Sequence, residues 1–308
     1  MPKPSVGRAT DASKKQRFTR ETADKHTLYQ LSVQATDHEI ELLSTMFEEH
    51  AGRQPRSLRE DFCGTGLLCC AWVASDEART ATGLDIDAPT LAWGHAHNVA
   101  RLGDDARKRV TLLDQNVLVP TPRRGKGGGH DVICAFNYSY QTFKTRELLV
   151  EYFRAVHRSL ADDGIFVLDL LGGWESRQVV KEPRRIASGT DPSGRKHEGF
   201  TYVWHQAGFD PISHAFLAHI HFHFKDGTKL KKAFTYDWRL WSIPEIKELL
   251  TEAGFVDLDV YWEGDDGEGG GNGEFTRVET IHDDPGWNTY IVAKRQPSKL
   301  PPPKLRAR

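Results

Sequence analysis

No stretch of this sequence approaches the ~20 consecutive apolar residues of a membrane-spanning helix, which excludes an integral helical membrane protein. The N-terminus, MPKPSVGRATDASKKQRF, has no apolar segment and does not read as a secretory signal. Cysteine is scarce: Cys63, Cys69, Cys70 and Cys134 form no paired CxxC motifs. A chain of 308 residues buries enough core to need no disulfide framework, so a reducing, cytoplasmic compartment is expected. Charge of one sign is not in excess either, the formal net charge being −2. With 38% hydrophobic and 27% charged residues the composition is that of a soluble globular protein, not a disordered one.

The near-neutral charge is an average over unlike parts. Residues 1–25 hold seven Lys/Arg against three Asp/Glu, and residues 294–308 hold six Lys/Arg and no acid. The remaining body carries −12. An acidic body between short basic ends is a poor phosphate-tracking surface. It suits a cationic small substrate, or it is simply a solvated acidic surface. The two ends, 1–25 and the Pro-rich 295–308, read as flexible tails.

Between the tails helix and strand patterns alternate. Asp37 is placed to cap a helix over 38–50, with Ile40, Leu43, Met46 and Phe47 on one face. Strands follow at 57–62, 79–84, 109–113, 131–136 and 165–171, with helices around 67–75, 88–102 and 145–161 between them. This βαβαβ series predicts an α/β, doubly wound parallel sheet. After residue 174 the period changes. Segments 200–206, 213–224 and 228–241 read as antiparallel strands, with an Asp-Gly hairpin turn at 226–227. Pro244 starts a helix over 244–253 that Gly254 closes, and strands at 255–262 and 288–294 finish the chain. The acidic, Gly-rich 264–273 reads as a mobile loop.

Chemistry concentrates at the strand ends. Glu60-Asp-Phe-Cys-Gly-Thr-Gly66 lies after a strand and before a helix, where glycines permit a tight turn and the helix start offers N–H groups. Glu60, Asp85 and Asp114 each stand at or near the end of a predicted strand. Any one of them is an ordinary polar strand end; all three in order make a nucleoside site the better reading. Asp85 is placed to accept both ribose hydroxyls. A dinucleotide is disfavoured, because the third glycine of GxGxxG is missing and Glu60 would repel a pyrophosphate. A ligand with a positive charge or an amino group fits instead.

On these residues the sequence resembles the class I S-adenosylmethionine-dependent methyltransferases of the small-molecule type. The resemblance covers about residues 28–173 and, more loosely, 243–294. Glu60 with Cys63-Gly64-Thr65-Gly66 looks like motif I, although Phe62 stands where the first glycine is usual. Gly83-Leu-Asp-Ile-Asp87 looks like the second motif, Leu113-Asp-Gln-Asn116 like the adenine site, and Asp131–Asn137 like the fourth strand. Leu249–Phe255 looks like the helix and turn before the last hairpin.

The resemblance implies S-adenosylmethionine as cofactor and S-adenosylhomocysteine as product. It implies contacts from Tyr29, Glu60, Phe62, Gly64, Gly66, Asp85, Ile86, Asp114, Gln115, Asn116, Phe136 and Asn137. It implies a Rossmann-like domain over 26–173 and 242–294, with 174–241 inserted as an antiparallel β cap over the substrate.

Ligands of open α/β sheets bind beyond the strands' carboxyl ends. That puts Asn137, Tyr138, Tyr140 and Asp169 near the methyl group. Asn137-Tyr-Ser-Tyr140 is similar to the Asn-Pro-Pro-Tyr box of methyltransferases acting on adenine or glutamine nitrogens, but both prolines are absent and that activity is not carried over. Trp174, Tyr202, Trp204, Tyr236, Trp238 and Trp241 either cage a substrate amine or pack a small β-layer. Arg239 either binds a substrate carboxylate or forms a structural ion pair.

Tyr138, Asp169 and His205 are candidate bases. His219, His221 and His223 share one strand face, but no further ligand completes a metal site and none is expected. The reaction read here is direct methyl transfer to N or O of a small molecule. The rivals are an RNA or protein methyltransferase using the basic tails and a non-catalytic cofactor-binding module. Neither a membrane nor nucleic acid is expected as a partner.

Overall fold

The computed structural model describes residues 15–122, 128–191, 194–267 and 270–297. In chain order the first elements are α1 (Lys25–Val33), α2 (Thr36–Ala51), β1 (Ser57–Asp61), α3 (Leu67–Ser75), β2 (Thr80–Asp85), α4 (Ala88–His97), α5 (Asp104–Arg107) and β3 (Val110–Asp114). Then come β4 (His130–Ala135), α6 (Arg146–Ser159), β5 (Leu160–Gly172), β6 (Val180–Ile186), β7 (Gly189–Thr190) and β8 (Lys196–His197). The chain continues through β9 (Phe200–Phe209), β10 (Ala215–His223), β11 (Lys229–Arg239), α7 (Ile243–Ala253), β12 (Asp257–Asp265), β13 (Gly271–Val278) and β14 (Trp287–Lys294). No helix among the described residues is long and apolar enough to cross a membrane.

Two compact units form. The larger holds Ala35–Val180, Gln206–Ala218 and Tyr236–Arg308; the smaller holds Met1–Gln34, Lys181–His205 and His219–Thr235. These bounds differ from the inserted block 174–241 read in the sequence. Residues 206–218 and 236–241 go with the larger unit because their aromatic side chains pack there. Phe216 stacks on Trp238 at 6.2 Å, and Trp241 is buried with its indole N–H donating to the Phe143 carbonyl.

In the larger unit one eight-stranded sheet runs β13-β12-β14-β5-β4-β1-β2-β3. Strands β5, β4, β1, β2 and β3 are parallel, as the alternating pattern predicts, and β14 joins β5 antiparallel. The apolar runs of β4 and β5 are buried on both faces. One face is covered by Leu43, Met46 and Phe47 of α2 and by Leu68, Cys69 and Trp72 of α3. The other is covered by Leu149, Tyr152 and Phe153 of α6 and by Ile246 and Leu250 of α7.

Strand alternation sorts charge on β1. Leu58 and Glu60 face α2 and α3, whereas Arg59 and Asp61 face the other way. Arg59 is fully buried there, with Nε on Asp61 Oδ1 at 2.6 Å and Nη1 on Ser159 and Thr121. Asp61 also accepts from the Tyr152 hydroxyl.

Three elements differ from the sequence reading. Helix α2 starts at Thr36 after Ala35, so Asp37 lies in its first turn and is not its cap. Segment 264–273 is not one loop, since β12 runs to Asp265 and β13 begins at Gly271. Strand β6 (VKEPRRI) was not foreseen; it has no apolar alternation, and its Pro183 is tolerated because β6 is the edge of the sheet β11-β10-β9-β6.

In the smaller unit, Phe18 is 1% exposed and packs edge-on against Phe200, with Phe224 and His197 beside it. The Phe18 N–H donates to Glu198. Residues 16–24 therefore do not continue the tail expected over 1–25; an aromatic anchor holds them. Residues 1–14 and 298–308 of the expected tails lie outside the described residues.

Candidate functional site

The Gly-rich turn after β1 is built from left-handed residues. Gly64 has φ +54° and Gly66 φ +63°, and a Cβ on Gly66 would come within 2.6 Å of Leu112 Cδ2. Gly66 must stay glycine for shape as well as space. Gly64 is different: a Cβ there would meet only Thr90 Cγ2 at 3.9 Å, so the space beside it is open.

Phe62 occupies the position where the motif usually has glycine, and its φ is +56°. A residue with a Cβ is held in a glycine conformation at a cost of about 1–2 kcal/mol. Its ring lies 5.7 Å from that of Tyr152 and 5.9 Å from that of Phe143. That cluster lies on the α6 side of the sheet, opposite Glu60. Phe62 thus packs its ring behind the turn, on the side of the sheet away from Glu60.

Three carboxylates stand on the α2–α3 face at the strands' carboxyl ends. Register places them: Glu60 pairs with Gly83 and Cys134, and Cys134 pairs with Val167, so Asp85 and Asp169 each lie two residues further along their strands. Asp85 on β2 and Asp169 on β5 are three strand spacings apart, about 14 Å. That is long enough for a nucleoside with an amino-acid arm. None of the three meets a Lys or Arg in an ion pair among the described residues.

Glu60 is only 7% exposed; its Oε2 accepts from the Cys69 N–H and thiol at 3.3 and 3.2 Å. Burial raises the Glu60 carboxyl to about 8, the Cys69 bonds opposing it and the charges of Glu39 and Asp85 adding to it. Asp85 takes the Gly64 N–H at 2.7 Å on Oδ2 and the Asp87 N–H at 2.9 Å on Oδ1. Each oxygen keeps a lone pair for a hydroxyl. Beside it Ile86 is 71% exposed, an apolar side chain with nothing packed over it. Asp114 at the end of β3 is exposed.

The other sequence candidates fall into two groups. Gln115 and Asn116 are occupied in shaping their own turn, through Val119 O and the Leu118 N–H. Phe136 packs edge-on to Tyr290 at 5.5 Å. Asn137 and Tyr138 both have φ +57°, and Asp169 holds this strained pair by accepting the Asn137 N–H at 2.7 Å and the Tyr138 N–H at 2.9 Å. Asp169 thus positions this loop, and like Asp85 it keeps a second lone pair on each oxygen, so it remains a candidate proton acceptor. Burial nonetheless raises it to about 7.

Tyr138 donates to Asn288 Oδ1 at 2.6 Å and lies edge-on to Trp238, which contacts Tyr236 at 4.4 Å. Tyr140 is fully buried, its hydroxyl on the Asp169 carbonyl, and is core. Arg239 stacks 3.7 Å over Trp241 and binds Glu245 and the Lys144 carbonyl, which is the structural alternative of its two readings.

Tyr29 and His205 belong to the smaller unit. Tyr29 lies 4.9 Å from Phe234. His205 Nδ1 is 3.2 Å from His221 Nε2, and His221 Nδ1 accepts the Lys232 N–H. The neutral chain of bonds therefore assigns a proton to His221 Nε2 and engages His205 Nδ1 as acceptor. No group of three or more His, Cys, Asp or Glu among the described residues has the arrangement to hold a metal.

Sequence reasoning missed one acid at this site, Glu39 of α2. Burial raises it to about 7, and its charge acts on Glu60, Asp169 and Tyr290. The 38–50 helix was foreseen, but its pattern marks only the apolar face and not the acid beside it.

No protein-family model and no curated protein matches the chain. Solved structures do. An amino pentose methyltransferase from Micromonospora echinaspora, solved with S-adenosylmethionine, is similar at 14% identity and TM-score 0.60, over 88% of this chain and 96% of that one. A sugar N-methyltransferase from Streptoalloteichus matches at 15% and 0.56, over 96% and 100%. An S-adenosylmethionine-dependent methyltransferase from Clostridium acetobutylicum matches at 16% and 0.56, over 89% and 93%. The fold is the class I methyltransferase fold. In that fold the open side of Gly64, the carboxylates of Glu60 and Asp85 and the exposed Ile86 stand at the carboxyl ends of neighbouring strands. The donor set fits S-adenosylmethionine, whose sulfonium and ammonium are positive and whose ribose offers hydroxyls.

Proposed function

We propose that this protein transfers a methyl group from S-adenosylmethionine to a nitrogen of a small-molecule amine. One observation carries the reading: carboxylates with no protein cation beside them, at the nucleoside end of a class I fold. Acids buried without a counter-ion take up protons, as the raised Glu60 and Asp169 do, and a cation entering the site favours their ionised forms. The structural neighbours that act on an amino pentose and on a sugar nitrogen favour an amino sugar as the acceptor class.

When bound, the cofactor supplies an already activated methyl group. The chain's residues have the rest to do. Asp85 would hold the ribose and Ile86 would cover one face of the base. Asp169 fixes the Asn137–Tyr138 turn, and so fixes Tyr138 and its partner Asn288 at the edge of the site. Tyr138, Tyr236 and Trp238 form an aromatic wall suited to an amine. Alignment of a neutral amine with exclusion of water then accounts for transfer without a covalent enzyme intermediate.

The test is a product-mass screen with the purified chain, the cofactor and panels of amino sugars, other amines and hydroxyl compounds. Methylated amines are expected. Methylation confined to hydroxyl compounds would replace the nitrogen reading with an oxygen one. A second reading, an RNA acceptor, draws on the smaller unit, which has sixteen Lys/Arg against seven Asp/Glu. Binding of RNA that weakens steeply with salt, together with RNA methylation, would favour it.

A further inference from the structure

Helix α4 follows the strand end that carries Asp85 and Ile86, and it lies against the Gly-rich turn after β1. Gly94 shows how closely. A Cβ added there would stand 2.3 Å from the Thr65 carbonyl oxygen and 2.8 Å from the carbonyl carbon. No side chain fits that space, so the helix meets the turn backbone to backbone. Asn98 caps α4 at its C-terminal end, its N–H on the Gly94 carbonyl. The Asn98 side chain is buried, and its Nδ2 donates to the same Thr65 oxygen at 2.9 Å. At the start of the helix, Asp87 accepts the Thr90 N–H, while Asp85 accepts the Asp87 N–H. Asp85 also accepts the Gly64 N–H at 2.7 Å.

These bonds close a circuit from turn to strand end to helix and back to the turn. The Thr65–Gly66 peptide is pinned on both sides, its carbonyl by Asn98 and its N–H by the Cys63 carbonyl at 2.8 Å. The orientation of that peptide sets the left-handed φ of Gly66, and with it the shape of the turn. Asn98 is only 5% exposed and its amide is on Thr65, so its effect on a ligand passes through the turn.

We propose that Asn98, seated by Gly94, is a positioning residue: it locks the Cys63–Gly66 turn in its binding shape before the cofactor arrives and couples that shape to the Asp85–Asp87 strand end. This rests on the cofactor reading above and not on any choice of acceptor. Without the lock the peptide samples other orientations, and the cofactor must order it on binding.

Asn98→Leu keeps the bulk of the side chain and removes the donor. By calorimetry it should bind S-adenosylhomocysteine about 5- to 10-fold more weakly, the effect of one neutral hydrogen bond. Hydrogen exchange of the ligand-free variant should speed up at the Gly66 amide and stay unchanged at the amides of β4, in the middle of the sheet. Asn98→Asp supplies a pH signature. Ionised, its carboxylate faces the Thr65 carbonyl without a donor; protonated, it donates again. Its affinity deficit relative to wild type should therefore shrink as pH falls from 8 to 6. Unchanged affinity and unchanged Gly66 exchange in Asn98→Leu overturn the proposal. So does faster exchange throughout β4, which would make the role one of general stability. Failure of wild type to bind S-adenosylhomocysteine overturns the cofactor reading; the exchange measurement, made without ligand, still decides whether Asn98 pins the turn.

Discussion

The two units of this chain collect opposite charge. The smaller has sixteen Lys/Arg and seven Asp/Glu, a net of +9; the larger has twenty-five and thirty-six, a net of −11. Each also gathers titratable groups of one kind in one place. The larger unit sets Glu60 and Asp169 on one sheet face and Glu39 in the helix α2 that packs on that face, and burial raises all three. The smaller unit sets His205, His219 and His221 with ring centroids 5.4–6.0 Å apart. Burial, with neighbouring imidazoles and Lys181, lowers His221 to about 4. A near-neutral chain thus contains two regions under opposite electrostatic stress. Only the acidic one sits at the ligand edge of a known fold.

The largest expected effect tests that acidic edge directly. Asp85→Ala removes the carboxylate proposed to accept two ribose hydroxyls, and S-adenosylhomocysteine affinity should fall about 100-fold by calorimetry. Unchanged affinity would remove Asp85 from the ribose.

The next effect is a pH response whose sign differs between the buried acids and the buried histidines. Glu60 moves from 4.5 to about 8, so the folded state holds its proton more tightly than the unfolded one. The stability this gives is complete below about pH 4.5 and is lost as pH rises through about 8. His50 and His130, lowered from 6.5 to about 4, act in the opposite sense only below pH 6.5. Between pH 6.5 and 8, denaturant midpoints of the ligand-free protein should therefore decline, and Glu60→Gln should flatten the decline. A variant that declines as steeply as wild type would show that Glu60 is ionised already.

The smallest effect belongs to the basic unit. His221 is lowered, so its contribution is complete above pH 6.5 and is lost as pH falls through about 4. His221→Asn should reduce the loss of stability between pH 6.5 and 4, read by the same denaturant midpoints. An unaltered slope would mean that the imidazoles share protons without His221.

The parallel core was readable because strands buried on both faces leave apolar runs, and because turn glycines and strand-end acids fall at fixed places between them. Strand β13, GNGEFTRV, was not readable, since glycine, asparagine and glutamate carry loop signals and only pairing with β12 makes them a strand. Position was easier to read than direction. Asp169 was placed at the right strand end, yet only the backbone shows that both its oxygens face the Asn137 and Tyr138 N–H groups. Phe62 was visible as a missing glycine, but its left-handed backbone and its ring on the far side of the sheet were not. Glu39 escaped because helix periodicity reports what is apolar.

Strand β1 places Glu60 toward the site and the Arg59–Asp61 pair toward the opposite core. A slip of one residue in its pairing would exchange those faces. It would drive a guanidinium into the candidate site and leave Glu60 among Tyr152, Phe153 and Phe166 with no counter-charge. The three consecutive charged residues thus favour a single pairing register for β1, because a slip leaves Glu60 buried without a partner, a penalty that a run of valines would not impose.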